Sequence, residues 1–404
     1  MKRLAVFCDG TWNDKDNPDK LKTNVALLGE AVAPMDRDGI VQKVKYVSGV
    51  GTNGGSGLNG FADKFLGGVF GAGLNANIRT GFTWLIENYE PGDQIYIFGF
   101  SRGAYTARSL GGLLRSAGIP RGNGDLPKRI DRAFDWYRNR GRWTRPGSER
   151  SAAYRARNGS IVSTGQSEDE WRARVGRPPL KRLSVAYMGI WDTVGALGVP
   201  GILGPVAQVI NTPYRFHDDE LARMILSGRH AVAIDEQRVL YPPTLWSNLT
   251  ELNGGLGHEP YRQRWYPGDH SMIGGSGPER GITNHTLRWI AKGAEEAGLI
   301  FDPDQIAAAG EPDHRGPLSN VQPSVWGRVL RKARTGPRLV TRISGPGLDR
   351  LRDGDALGIR YNPKTLRPLR RALAHLLGLP YREPRYPVPR PPVPRFPRPT
   401  DPEQ

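Results

Sequence analysis

The chain has 404 residues, 38% of them hydrophobic and 24% charged, with 52 glycines and 34 prolines, which supports the buried core of one large α/β domain with long insertions or of two modest domains. The single cysteine, Cys8, excludes an internal disulfide, and no uninterrupted apolar run reaches membrane-spanning length. The net charge of +17 is too unevenly placed for a chain built throughout to bind nucleic acid.

Arg3–Cys8 predicts a first strand running into Asp9-Gly10-Thr11-Trp12-Asn13. The apolar stretch before Asp9 is too short for a signal-peptide core, so cytoplasmic synthesis is expected, with any delivery by a secretion route that uses no cleaved leader. Residues 41–47 predict a second strand, followed by Gly49-Val50-Gly51-Thr52 and a Gly-rich loop to Gly60. Residues 65–89 predict a helix that starts near Val69. After the turn Pro91-Gly92-Asp93 come an apolar strand over 94–98, then Gly99-Phe100-Ser101-Arg102-Gly103, then a helix over 104–114. Strand, Gly-x-Ser-x-Gly, helix is the setting of a nucleophile elbow. The backbone bends sharply there, and Gly99 and Gly103 omit side chains that would collide. Ser101 is thereby presented at the carboxyl end of a strand, beside a helix N-terminus.

Residues 115–182 hold 17 basic against 7 acidic residues, net +10, and residues 364–404 hold 9 against 3, net +6. The picture is a nearly neutral catalytic body with two basic appendages. The first opens with an amphipathic helix predicted over 130–140, carrying Phe134, Trp136 and Tyr137; its remainder reads as irregular. Arginines interleaved with Trp136, Tyr137, Trp143 and Trp171 suit an anionic membrane surface, which is preferred here to nucleic acid.

A buried strand over 183–190 ends in Trp191-Asp192-Thr193-Val194-Gly195. The uncharged segment 193–214, interrupted by Pro200, Pro205 and Pro213, reads either as a packed loop or as an apolar lid beside the site. Helical patterns follow over 220–234 and 286–297. Over 366–379, Leu369, Leu373, Leu376 and Leu377 oppose Arg367, Arg370 and Arg371 in a basic amphipathic helix. Packing on the parent domain is favoured for it over membrane contact. From Pro380 onward, repeated Pro-Val-Pro-Arg units predict an extended or disordered tail. The domain reading is a catalytic domain over 1–300, an extension over 301–379 packed on it, and the tail 380–404. Strand–helix alternation with short apolar strands predicts an α/β class: an α/β-hydrolase-like, mostly parallel central sheet covered by helices on both faces.

A serine hydroxyl needs a base to take its proton, and that base needs an acid to hold its tautomer. In α/β hydrolases the chain order is serine, acid, histidine. Asp192, directly after a buried strand, meets the acid's requirement; Asp235 is the rival, but the residues before it continue a helical pattern. His270 is the preferred base, because it follows an aromatic run and a turn and precedes the small residues Gly274 and Gly275. His285 is second, at a helix start. His230 reads as a buried structural residue, and His217, His258, His314 and His375 lie in polar, helix-start or tail contexts. For the oxyanion hole, one N–H is expected from Arg102 and the second from the Gly10-Thr11 loop, which Asp9 would position. No cofactor or metal is expected, although a cation at Asp9 stays open as an alternative.

The segments Phe7–Asn13, Gly49–Thr52, Gly99–Arg108, Trp191–Gly195, Ala233–Glu236 and Trp265–Gly275 resemble, in this order, a large, mainly bacterial α/β-hydrolase family long labelled as a domain of unknown function. Some of its members are type VI secretion phospholipase effectors, the lipase effector family 1. The resemblance spans residues 3–300 and extends weakly to 361–366. It implies a Ser–His–Asp hydrolase of esters, with phospholipid as the best characterised substrate class, and by motif position it supports Ser101, Asp192 and His270. An immunity or delivery protein is a further partner of the kind such a chain would have. Met272 stands where the family pattern carries an acidic residue, and Ser276 where it carries a third glycine. Alternative readings are an esterase of small soluble esters, or a basic membrane- or nucleic-acid-binding module with a degenerate site. Asp9-Gly10-Thr11 echoes the phosphatase loop Asp-x-Asp-Gly-Thr, but Phe7 replaces its nucleophile, and no Gly-x-x-x-x-Gly-Lys-Ser/Thr loop for a nucleotide exists.

Overall fold

The structure, a computed structural model, describes residues 1–11, 13, 15–16, 21–50, 69–139, 141–195, 220–239, 241–319, 331–354 and 361–379. The Gly-rich loop up to Gly60, the segment 193–214 beyond Gly195 and the tail from Pro380 lie outside these residues.

Six strands form one sheet: β1 (Arg3–Cys8), β2 (Gln42–Val47), β3 (Gln94–Phe100), β4 (Val185–Trp191), β5 (Gly228–Ala233) and β6 (Tyr261–Tyr266). Their order is β2-β1-β3-β4-β5-β6, and all five neighbouring pairs are parallel. Burial on both faces explains why the central strands read as continuous apolar runs. On one face, Leu4, Val6, Ile95, Ile97, Met188 and Ile190 meet helices α2 (Val69–Asn88), α3 (Arg102–Ala117) and α4 (Leu126–Arg138) through residues such as Phe82, Leu110 and Phe134. On the other, Phe7, Phe98, Tyr187 and Trp191 meet α1 (Asn24–Glu30) and α9 (Gly281–Glu296) through Leu28, Leu287 and Ile290. This is the α/β-hydrolase-like layering that the alternation predicts. Among the described residues no helix is long and apolar enough to cross a membrane.

Two expectations are corrected. The pattern over 220–234 forms no helix: residues 220–227 are turn and loop, and Gly228–Ala233 is β5, whose six residues are all buried. A strand covered on both faces shows no alternation, so its apolar run cannot be told from a helix by periodicity. The second correction concerns the basic insertion, whose latter part is not irregular. It holds α5 (Glu149–Arg157), capped by the Ser148 hydroxyl, and α6 (Gln166–Arg174). Three of their charges turn inward while the others stay exposed: Glu168, 1% exposed, accepts from Arg155 at 2.6 Å and from Arg172 at 3.4 Å. Arg155 also donates to the Ser116 carbonyl at 3.2 Å, which ties the insertion to the end of α3. A charge run normally reads as solvated surface, and pairing in three dimensions is what buries these three members of it.

Helix α10 (Pro303–Ala308) packs on α1, whereas α11 (Gly345–Asp353) and α12 (Arg370–Leu377) lie at the β6 edge of the sheet; α7 (Leu249–Asn253) and α8 (His270–Gly274) flank β6 in the chain. Leu366 and Leu373 are buried with Val232, Ile234, Trp265 and Ile343 and Leu369 packs against them, whereas Leu376 of the same predicted stripe is exposed.

Candidate active site

Every strand of a parallel sheet points its carboxyl end to the same edge, and ligands gather there where the strand order reverses. The reversal lies between β1 and β3, whose last paired residues are Cys8 and Gly99. Ser101 follows β3 directly, and Asp9-Gly10-Thr11 follows β1.

The elbow is a backbone contact before it is anything else. A Cβ on Gly99 would lie 2.4 Å from the Gly103 carbonyl oxygen, and one on Gly103 would lie 2.1 Å from the Cys8 oxygen. Only glycine lets the start of α3 approach β1 and β3 this closely. Ser101 sits between them with φ 58° and ψ −122°, a region that costs a side-chain-bearing residue strain. Its N–H still donates to the Trp191 carbonyl at 3.0 Å, and the Asp192 N–H donates to Ala231 at 2.7 Å, so both residues are held by the last rungs of the ladder.

The Ser101 Oγ lies 2.7 Å from His270 Nε2, and His270 Nδ1 lies 2.5 Å from Asp192 Oδ2. All three residues are buried, at 4%, 5% and 0% exposure. Burial alone would push the Asp192 carboxyl up, but the charge of Arg334 and hydrogen bonds from His270 and Arg334 outweigh it and hold the group far below the usual carboxylate range. An ionised carboxylate only accepts, so Nδ1 carries the proton and Nε2 accepts from the serine hydroxyl. The imidazole is clasped between Phe100 and Tyr241, whose ring centroids lie 4.8 and 4.9 Å away.

The turn that presents His270 is itself pinned. The Asp269 side chain caps α8 by accepting from the Met272 N–H at 3.0 Å. Glu236 accepts from the His270 N–H at 3.2 Å while pairing with Arg238 at 2.6 Å. Asp235, the rival acid, accepts instead from the Gly268 N–H at 2.7 Å and the Tyr361 hydroxyl at 2.8 Å. Burial pushes its carboxyl up to about 6. It follows a strand after all, yet it braces the turn before His270 and makes no contact with the imidazole.

The other histidines lie elsewhere. His230, in β5, accepts from the Thr193 N–H through Nε2 at 3.3 Å and donates through Nδ1 to Gln263 at 3.0 Å; burial and the nearby Arg108 push it down to about 3, so it stays neutral. His285 lies within α9, and His314 pairs with Asp353 at 2.7 Å. His258 and His375 are exposed, and His217 lies outside the described residues. Met272 is fully buried.

Around the loop after β1, the buried Asp9 carboxylate accepts from the Gly10 N–H at 2.6 Å, the Thr23 hydroxyl at 2.7 Å and the Tyr46 hydroxyl at 2.6 Å. The Gly10 N–H is therefore engaged within its own loop. The Thr11 Oγ1 is buried without a partner among the described residues.

Arg334 is the site residue that sequence reasoning missed. Its Nη1 and Nη2 grip Asp192 Oδ1 and Oδ2 at 2.7 and 2.8 Å, and they also donate to the Ala233 and Tyr241 carbonyls at 3.2 and 2.7 Å. Two parallel N–H bonds fix the plane of the carboxylate as well as its charge. No motif announces this arginine, which comes from a segment 142 residues beyond its partner.

Comparison with known proteins adds the family. The chain is 25% identical over 231 residues to an uncharacterized protein of Saccharomyces cerevisiae, a match covering 54% of this chain and 29% of that protein's own length. It thus spans less than a third of that curated relative. Among solved structures, it is similar to an uncharacterized protein from Pseudomonas aeruginosa, at TM-score 0.39 and 17% identity over 77% of this chain and 49% of the other. It is similar as well to the Tle1 effector bound to the VgrG spike from the Type 6 secretion system, at TM-score 0.40 and 15% identity over 78% of this chain and 77% of the other. The model of the catalytic domain of Tle1-like phospholipase effectors of type VI secretion matches residues 2–293, and the chain belongs to that family.

Proposed function

We propose that the chain is a serine hydrolase of carboxylic esters whose substrates are phospholipids. The observation that carries this reading is the unbroken row from Ser101 Oγ through the two ring nitrogens of His270 to Asp192, at 2.7 and 2.5 Å. Family membership supports the lipid class and delivery by a type VI secretion apparatus as an effector. Exposed Trp143, with Arg142 over its ring at 5.5 Å, supports docking of the basic insertion on an anionic bilayer. Trp136 is the less suitable aromatic there, since it stacks on Tyr154 at 4.2 Å.

In the proposed reaction His270 Nε2 takes the Ser101 proton as Oγ attacks the ester carbonyl carbon. The imidazolium that forms is stabilised by Asp192. The oxyanion accepts from the N–H of Arg102, at the start of α3, and from the N–H of Thr11, because the Gly10 N–H is held by Asp9. Collapse expels the alcohol, which takes the proton from His270, and leaves an acyl-serine. Water, deprotonated by His270, then releases the carboxylic acid and restores the hydroxyl. The test is an intact-mass measurement after exposure to a fluorophosphonate. Wild type should gain one adduct and Ser101→Ala none, with fatty acid released from phospholipid vesicles by wild type alone. Equal labelling of both proteins, or unimpaired release by the variant, would remove Ser101 from the mechanism.

A further inference from the structure

A cavity of about 970 Å³ opens beside Arg334, between the segment that follows β5 and residues 332–342. Neither Ser101 nor His270 lines it, but Tyr241 and Arg334, which touch His270 and Asp192, do. Its charge is one-sided. Arg238, Lys332, Arg334, Arg338 and Arg342 line it, and no Asp or Glu is among the lining residues. Glu236 neutralises Arg238, and Asp192 neutralises Arg334. Lys332, Arg338 and Arg342 have no ion-pair partner among the described residues.

Lys332 and Arg338 are exposed and Arg342 is half-buried, which leaves their charge open to a ligand. A concave wall carrying charge of one sign also concentrates counter-ions. The volume is far larger than a lone inorganic ion, and Leu245, Pro243 and the two indoles of Trp246 and Trp265 give it apolar walls.

We propose that this cavity binds a phosphate-bearing molecule, with the phosphate held by Lys332, Arg338 and Arg342. The site lies on residues beyond the 2–293 span of the family's catalytic domain as well as within it. It does not depend on the hydrolase reading, since binding is asked of a protein that cannot form an acyl-serine. Two sources share the chemistry: a phospholipid headgroup and a soluble phosphate ester.

The experiment is calorimetric titration of the full-length Ser101→Ala chain with inorganic phosphate, glycerol 3-phosphate and a short-chain phosphatidylglycerol kept below its micelle concentration. One ligand per chain is expected. The double reversal Lys332→Glu, Arg338→Glu, at exposed positions, should weaken binding by at least about tenfold, the worth of a charge-assisted hydrogen bond. Arg37→Glu, next to β2 at the opposite edge of the sheet, should leave it unchanged. Tighter binding of the lipid than of glycerol 3-phosphate identifies the headgroup as the source, and equal binding identifies the soluble ester. The proposal is overturned if none of the three probes saturates at millimolar concentration, or if both variants bind as the parent does.

Discussion

Asp192 and Asp235 occupy the same place in the architecture: each follows a parallel strand, β4 or β5, at its carboxyl end, and each is buried. Their environments diverge. Asp192 meets a guanidinium through two bonds and an imidazole through a third, and it is held ionised far below the usual carboxylate range. Asp235 accepts from a backbone N–H and a phenol with no guanidinium hydrogen-bonded to it among the described residues, and burial outweighs these bonds and the charge of Arg350 to push it up to about 6. The difference teaches that a strand-end carboxylate comes to hold an imidazole, in the charged form, through its counter-charge and its reach. The strand alone does not choose between the two.

The largest expected effect breaks the comparison directly. Asp192→Asn should lower kcat by about 10⁴, because an amide permits the wrong imidazole tautomer, whereas Asp235→Asn should cost less than about tenfold. Comparable losses in the two variants, measured on one ester, would erase the distinction. Next in size is Arg334→Ala, which leaves the Asp192 carboxylate buried without its cation. Urea unfolding should show a loss of about 3–5 kcal/mol. A loss below 1 kcal/mol would mean that His270 and the Ala233 N–H suffice for Asp192.

The smallest effect is in pH. Asp235 is raised in the folded chain, so between about pH 4 and 6 the folded state holds a proton that the unfolded state releases. Its contribution to stability is therefore greatest at low pH and declines by up to about 3 kcal/mol as pH rises through 6. Asp192 runs the opposite way: its contribution is complete above about pH 4 and is lost on acidification below that. Thermal unfolding of Asp235→Asn across pH 4–7 should flatten the upper trend and leave the acid limb in place. An unchanged upper trend would assign it to another group.

Much of this site is legible in the sequence, for physical reasons. Gly99 and Gly103 mark a backbone approach that only glycine allows, and the strand and helix around Ser101 leave few other readings. Asp192 follows a strand rich in apolar residues, and His270 follows an aromatic strand and a turn. What could not be read is what depends on tertiary pairing. The run before Asp235 reads as helix because burial on both faces erases alternation. The helices around Glu168 read as irregular because the ion pairs that hold them form only after folding. Arg334 is invisible for the same reason, since nothing local distinguishes it from the many other arginines.

The reach of the Arg334–Asp192 pair has a consequence for the order of synthesis. Ser101, Asp192 and His270 have all left the ribosome 64 residues before Arg334 does, as the numbering requires. At roughly 5–20 residues per second that interval lasts about 3–13 s. During it the nascent chain holds Ser101, Asp192 and His270, while Asp192 lacks the cation that pairs with it in the folded chain. The Arg334–Asp192 pair can thus close only after the segment that carries the arginine has been made.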